Sequence, residues 1–154
     1  MGPRRTVMER ILTAVDGSAP SLKAVAFAAD LATRCGAELV LLAVGRKMSA
    51  EMAAELQAYA RRELLDLPLD PGAAVADSVL AAAREEAQAN GATRIATRAA
   101  FGDPAEQIVA VADALRPDVI AVGSRGHGRL AGLLLGSVAQ KVVAHAACPV
   151  LVVR

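Results

Sequence analysis

Residues 10–44, RILTAVDGSAPSLKAVAFAADLATRCGAELVLLAV, hold two apolar runs separated by one helix-like segment, and that order decides the fold. The first run, Arg10 to Val15, stops at Asp16-Gly17-Ser18, a cluster of turn formers, as a short buried strand does. Pro20 then suits a first helical turn, and Leu22, Val25, Ala26 and Ala29 recur at helical spacing until Gly36 ends the pattern. The second run, residues 38–44, is apolar without alternation, which predicts a strand covered on both faces. Strand, helix and strand in this order make a βαβ unit with a parallel sheet.

Working outward, residues 47–66 are rich in Ala, Glu and Leu and predict a helix that Pro68 and Pro71-Gly72 break; a second helix spans about residues 73–90 and stops at Gly91. Residues 93–99 alternate polar and apolar, which predicts a strand toward a sheet edge. Asp103-Pro104-Ala105-Glu106 has the form of a capping box opening a helix whose apolar face is Ile108, Val111, Ala112 and Leu115. Residues 119–123, VIAVG, predict a central strand, residues 137–147 a last helix and residues 149–153, PVLVV, a last strand. Five strands alternating with helices predict an α/β, open doubly wound sandwich with helices on both faces of a parallel sheet, in one domain over residues 1–154.

Composition narrows the function. At 154 residues and 55% hydrophobic content the chain carries material for a full core, and with 2% aromatics that core is built from Ala, Val, Leu and Ile. Seventeen basic residues face 16 acidic ones, and neither a basic run nor an aromatic cluster is present to grip nucleic acid, so no nucleic-acid partner is expected. No apolar run approaches the length of a membrane span and residues 1–11 lack a signal-peptide hydrophobic region, which predicts a cytoplasmic protein with no membrane partner. Cys35 and Cys148 form neither a CxxC nor a metal-ligand spacing, and both are expected as small buried hydrophobes in a reducing compartment.

In such a sheet, ligands bind outside the carboxyl ends of the strands. Two loops there are chemically specialised: Asp16-Gly17-Ser18, with a carboxylate at the tip of the first strand, and residues 123–137, GSRGHGRLAGLLLGS, which hold five of the 12 glycines. Gly123 to Gly128 satisfies the first part of a Walker A loop, but Arg129-Leu130 stands where Lys and Ser/Thr belong. The dinucleotide pattern GxGxxG is also missing after the first strand. What remains is anion binding by exposed backbone N–H groups, with Gly136-Ser137 at a helix start and Arg125 and Arg129 adding positive charge. A long loop using its glycines only to bend, with residues 133–135 as an apolar plug, is the structural alternative. Asp16 likewise has a plainer reading, as a cap for the first helix. His127 and His145 join no metal-ligand cluster, and no nucleophile–base pair is visible.

The spacing Gly123-x2-Gly126-x9-Gly136-Ser137 resembles the G-2x-G-9x-G-[S/T] nucleotide motif of the ATP-binding universal stress proteins. The resemblance continues through Val15-Asp16-Gly17-Ser18, Gly102-Asp103-Pro104 and Cys148-Pro149-Val150, and so covers nearly the whole chain. It implies a five-stranded parallel sheet of order 3-2-1-4-5. It also implies roles: Ala14, Val15 and Val44 line an adenine slot; Asp16 accepts hydrogen bonds from the ribose; Val122, Gly123 and Gly126 bring backbone against ribose and phosphates; Gly136, Ser137, Val138 and Ala139 cradle the phosphates. Arg125 stands where many relatives have His, and Ala139 lacks the hydroxyl some members carry there.

The resulting expectation is an ATP-binding protein, with magnesium or manganese as an optional companion of the nucleotide, that acts as a dimeric nucleotide-dependent sensor or switch in stress response and not as an enzyme. Slow ATP hydrolysis or phosphoryl transfer, and an interaction protein that no longer binds nucleotide, are the alternatives. The last strand carries no charge before Arg154, and an uncharged edge strand invites pairing. The resemblance implies a homodimer through residues 149–153, Pro149 to Val153.

Overall fold

A computed structural model describes residues 7–68, 70–125 and 135–154. The elements run β1 (Arg10–Val15), α1 (Ala19–Cys35), β2 (Glu38–Gly45), α2 (Ala50–Arg62), α3 (Pro71–Ala89), β3 (Ile95–Phe101), α4 (Pro104–Leu115), β4 (Val119–Gly123), α5 (Ser137–His145) and β5 (Val150–Val153). The five strands form one sheet of order β3-β2-β1-β4-β5, and every pairing is parallel. The expected α/β class, strand count and strand order are all present. β3 lies at one edge, and its middle residues, Thr97, Arg98 and Ala99, are exposed, as their mixed polarity foretold.

Alternation along the central strands divides the core in two. Ile11, Val15, Leu39 and Leu41 point to one face, where they meet Val25, Ala28 and Ala29 of α1 and Ala83 of α3. Leu12, Val40, Leu42 and Ile120 point to the other, against Ile108 and Ala112 of α4 and Val142 of α5. Each large aliphatic side chain removed from water contributes about 1.5–3 kcal/mol. The helices answer largely with alanine, which brings their backbones close to the sheet. Thr13 interrupts the first row: it is fully buried, and its Oγ1 has no hydrogen-bond partner among the described residues.

Helix boundaries depart from the sequence reading where local chemistry overrides propensity. α2 starts after Ser49, whose hydroxyl accepts from the Met52 N–H, and stops near Leu64, which takes a left-handed φ of 53° as Leu65 N–H turns back to Ala60 O. α5 ends at His145, two residues before the expected stop, because Pro149 disfavours helical backbone at Cys148 and the chain is already extended at Ala146. The first helix is capped by Ser18 and not by Asp16. Cys148 is half-buried, but Cys35, at the last turn of α1, is exposed: the helix turns it away from the sheet, contrary to the burial expected of it.

Candidate functional site

At the carboxyl ends of the strands, β1, β2 and β4 meet the first turns of α4 and α5 around a cavity of about 360 Å³. Alternate residues along each strand make most of the strand lining, because successive side chains alternate faces, and Val15 and Gly123 add to it. β2 supplies Leu42, Val44 and then Arg46 just beyond its end; β1 supplies Ala14 and, just past its end, Asp16; β4 supplies Val122 and, just past its end, Ser124. Pro104 and Ile108 of α4 close the aliphatic side. Gly136, Ser137, Val138 and Ala139 form the opposite end.

Asp16 is exposed at the tip of β1 and organises the turn into α1. Its Oδ1 accepts from the Ser18 N–H at 2.9 Å and from the Ser18 hydroxyl at 2.5 Å, while its own N–H donates to Ser21 Oγ at 3.3 Å. Gly17, with φ 81°, supplies the left-handed residue that this turn requires. The Ser18 hydroxyl, held by Asp16, accepts in turn from the Ser21 N–H. The carboxylate is thereby presented at the cavity by its own loop.

The α5 end is built differently from the other helix starts. Ser18, Ser49, Asp70 and Asp103 each cap a helix with a side-chain oxygen. At α5 the cap residue is Gly136, which has no side chain to accept from the first turn. A helix start leaves four N–H groups without intrahelical partners and carries the positive end of the dipole. At α5 those donors open onto the cavity, a geometry suited to an anion. Ser124 fixes the approach: its carbonyl accepts from the Gly136 N–H at 2.6 Å and its N–H donates to Val153 O at 2.8 Å.

Of the residues singled out in the sequence, the structure places Ala14, Val15, Asp16, Val44, Val122 and Gly123 around this one cavity, together with Arg125, Gly136, Ser137, Val138 and Ala139. Gly126 lies outside the described residues, as do His127, Arg129 and the leucines at 133 and 134. Leu135, the described end of the expected plug, packs against the α4/α5 core. Sequence reading missed Ser21, Leu42, Arg46, Pro104, Ile108 and Ser124, which also line the cavity. For Leu42 and Arg46 a signal existed: they flank Val44 at strand spacing. Pro104 and Ile108 come from a helix that only the fold brings near.

A second cavity, of about 390 Å³, lies at the amino ends of the strands. Four of its six charged side chains, all but Glu9 and Arg116, are turned toward the protein. Arg10 pairs with Glu38 at 2.9 Å and donates to Leu115 O, Arg94 donates to Gly36 O, and Asp118 accepts the N–H groups of Glu9 and Arg10. This network ties strand starts together and offers a ligand little. Among the described residues there is no group of three or more His, Cys, Asp or Glu that could hold a metal ion, and no helix long and apolar enough to cross a membrane.

Comparison with known proteins agrees with this geometry. Universal stress protein YxiE of Bacillus subtilis is 34% identical over 149 residues, covering 96% of this chain and all of that protein. The solved structure of universal stress protein UspA from Lactobacillus plantarum superposes with a TM-score of 0.78 at 26% identity, covering 96% of this chain and 98% of that one. A universal stress protein crystallised in complex with cAMP gives a TM-score of 0.69 at 28% identity, over 97% of this chain and 98% of that one. The family model for the universal stress protein family matches residues 8–154. Sequence motif, sheet order and full-length relatives converge, and the chain belongs to the universal stress protein family.

Proposed function

We propose that the chain binds an adenine nucleotide, ATP foremost, in the cavity between Asp16 and the start of α5. One observation carries the reading: a single cavity joins an aliphatic slot, a strand-tip carboxylate and an uncapped helix start, in that order across β2, β1 and β4. An aliphatic slot suits a base, a carboxylate accepts from ribose hydroxyls, and unpaired N–H groups receive phosphates. The cAMP complex of a relative at 28% identity supports an adenine nucleotide as the ligand class.

Asp16 is the one acidic side chain lining the cavity among the described residues. One carboxylate fits a magnesium or manganese ion that arrives already held by the nucleotide phosphates, and such an ion would offset phosphate charge. The residues at hand orient and neutralise a ligand, so the proposal is a binding module in the cytoplasm and not an enzyme. Occupancy orders the surface around Gly136 and changes what a partner protein meets, which makes the nucleotide the input of a switch in stress response. A homodimer through Pro149 to Val153 is part of the same proposal.

Acid extraction of freshly purified protein, followed by chromatography and then by calorimetric titration with ATP, tests the reading. Adenine nucleotide released, or one ATP bound per chain with affinity reduced tenfold or more in Asp16→Ala, supports it. Neither nucleotide released nor ATP bound refutes it in favour of an interaction protein. Steady phosphate release that disappears in Asp16→Ala favours the slow ATPase instead.

A further inference from the structure

We propose that Arg46 closes the base end of the cavity by laying its guanidinium plane against the purine of the bound nucleotide. The inference rests on the nucleotide reading above and assigns the residue that supports the base. Leu42, Val44 and Arg46 succeed one another at every second position and all line the cavity, so Arg46 continues the aliphatic wall outward at its rim. The uncapped start of α5 lies on the β4 side. β2 is two strands from β4, about 10 Å at the usual strand spacing. With phosphates at α5 and ribose over Asp16 on β1, the base falls on β2, beside Val44 and beneath Arg46.

The backbone at Arg46 is fixed by close packing. A Cβ on Gly72, in the first turn of α3, would stand 2.9 Å from the Arg46 carbonyl oxygen, and one on Gly45 would stand 2.8 Å from the Phe101 ring. Only glycine at both positions lets α3 and β3 approach the end of β2 so nearly. The side chain leaving this anchored point is exposed and makes neither a hydrogen bond nor an ion pair among the described residues. It is therefore available to a ligand at no cost in protein contacts.

Stacking is the chemistry this position favours. Nucleotide sites commonly place an aromatic ring against the base, yet no aromatic side chain lines this cavity among the described residues. Arginine supplies a flat, weakly hydrated guanidinium that stacks plane to plane on π systems, whereas lysine's compact, strongly hydrated ammonium has no plane to stack. Being two strands from the phosphate end, Arg46 acts on the base and leaves the phosphates to the α5 start.

Calorimetric titration of AMP and ATP into the wild type, Arg46→Ala and Arg46→Lys tests this. The expected result is a loss of roughly five- to tenfold for both nucleotides in Arg46→Ala, with Arg46→Lys nearly as weak. Unchanged affinity in Arg46→Ala overturns the inference. Recovery by Arg46→Lys, or a much larger loss for ATP than for AMP, also overturns it by making Arg46 a phosphate contact. Wild-type protein that binds neither AMP nor ATP overturns the nucleotide site itself. Unfolding midpoints in urea equal to the wild type's confirm that the exposed variants keep the fold.

Discussion

Gly123 at the end of β4 lies so close to Pro20 in the first turn of α1 that a Cβ on it would stand 2.9 Å from the Pro20 carbonyl carbon and oxygen and 3.0 Å from the Ser21 N. The first glycine of the nucleotide motif thus has a steric reason independent of any ligand: it lets α1 pack against the strand that carries the loop. The contact is with backbone, so no side chain can swing aside. Gly123→Ala is expected to cost about 1–3 kcal/mol, as overpacking does, measured by urea unfolding. Because Ser18, the cap of α1, and Ser21 in its first turn hold the Asp16 turn, ATP affinity is expected to fall in the same variant.

The free edge of β5 offers a sharper test of the dimer. Ile120 N–H donates to Pro149 O and Ser124 N–H to Val153 O, so the odd-numbered residues of β5 face β4. The N–H and C=O groups of Val150 and Val152 therefore point away from the sheet. Val152→Pro deletes one outward donor while sparing the ladder to β4. Light scattering at micromolar concentration is expected to report a dimer for the wild type and a monomer for Val152→Pro. A wild-type monomer ends the proposal that this edge pairs with its copy.

Thr13 identifies a site where stability can rise. Its buried hydroxyl lacks a partner among the described residues, in a row otherwise filled by Ile11 and Val15. Thr13→Val keeps the shape and removes the unsatisfied group, which costs about 1–3 kcal/mol when buried. A gain of about 1 kcal/mol in unfolding free energy is expected, and a loss would mean that the hydroxyl has a partner after all.

Asp118 makes the acid limb of stability testable. The Arg10 N–H, at 2.9 Å, and the Glu9 N–H, at 2.7 Å, hold its carboxyl below the usual carboxylate range, burial opposing them only in part. A carboxyl depressed in the folded state binds its proton more readily when unfolded, so its stabilisation is complete at neutral pH. That contribution fades as pH falls below about 4 and through the depressed value. Asp118→Asn is expected to be less stable than the wild type at pH 7, with the gap closing toward pH 3 in a series of urea unfolding curves.

The sequence made some of this plain and hid the rest for definable reasons. Buried strands such as Leu39–Ala43 and Val119–Val122 announce themselves by continuous apolar runs, and β3 by its alternation, so strand number and edge position were legible. The glycine spacing and Asp16 located the cavity. Arg46 stands at strand spacing from Val44 but outside any motif, and Ser124 was not seen because its role arises from neighbours across the sheet, which no local pattern records. The packing of Gly123 on Pro20 is hidden for the same reason. Cys35 was misjudged because its apolar sequence neighbours belong to the opposite side of a helix.

Ser124 and Gly136 clasp one another, carbonyl to amide, at the two ends of an eleven-residue stretch. Ser124 also donates its N–H to Val153 O, so this one residue is a rivet through two parts of the molecule, the start of α5 at the cavity and the last residue of the edge strand β5. A displacement at either place has a path of a single residue to the other.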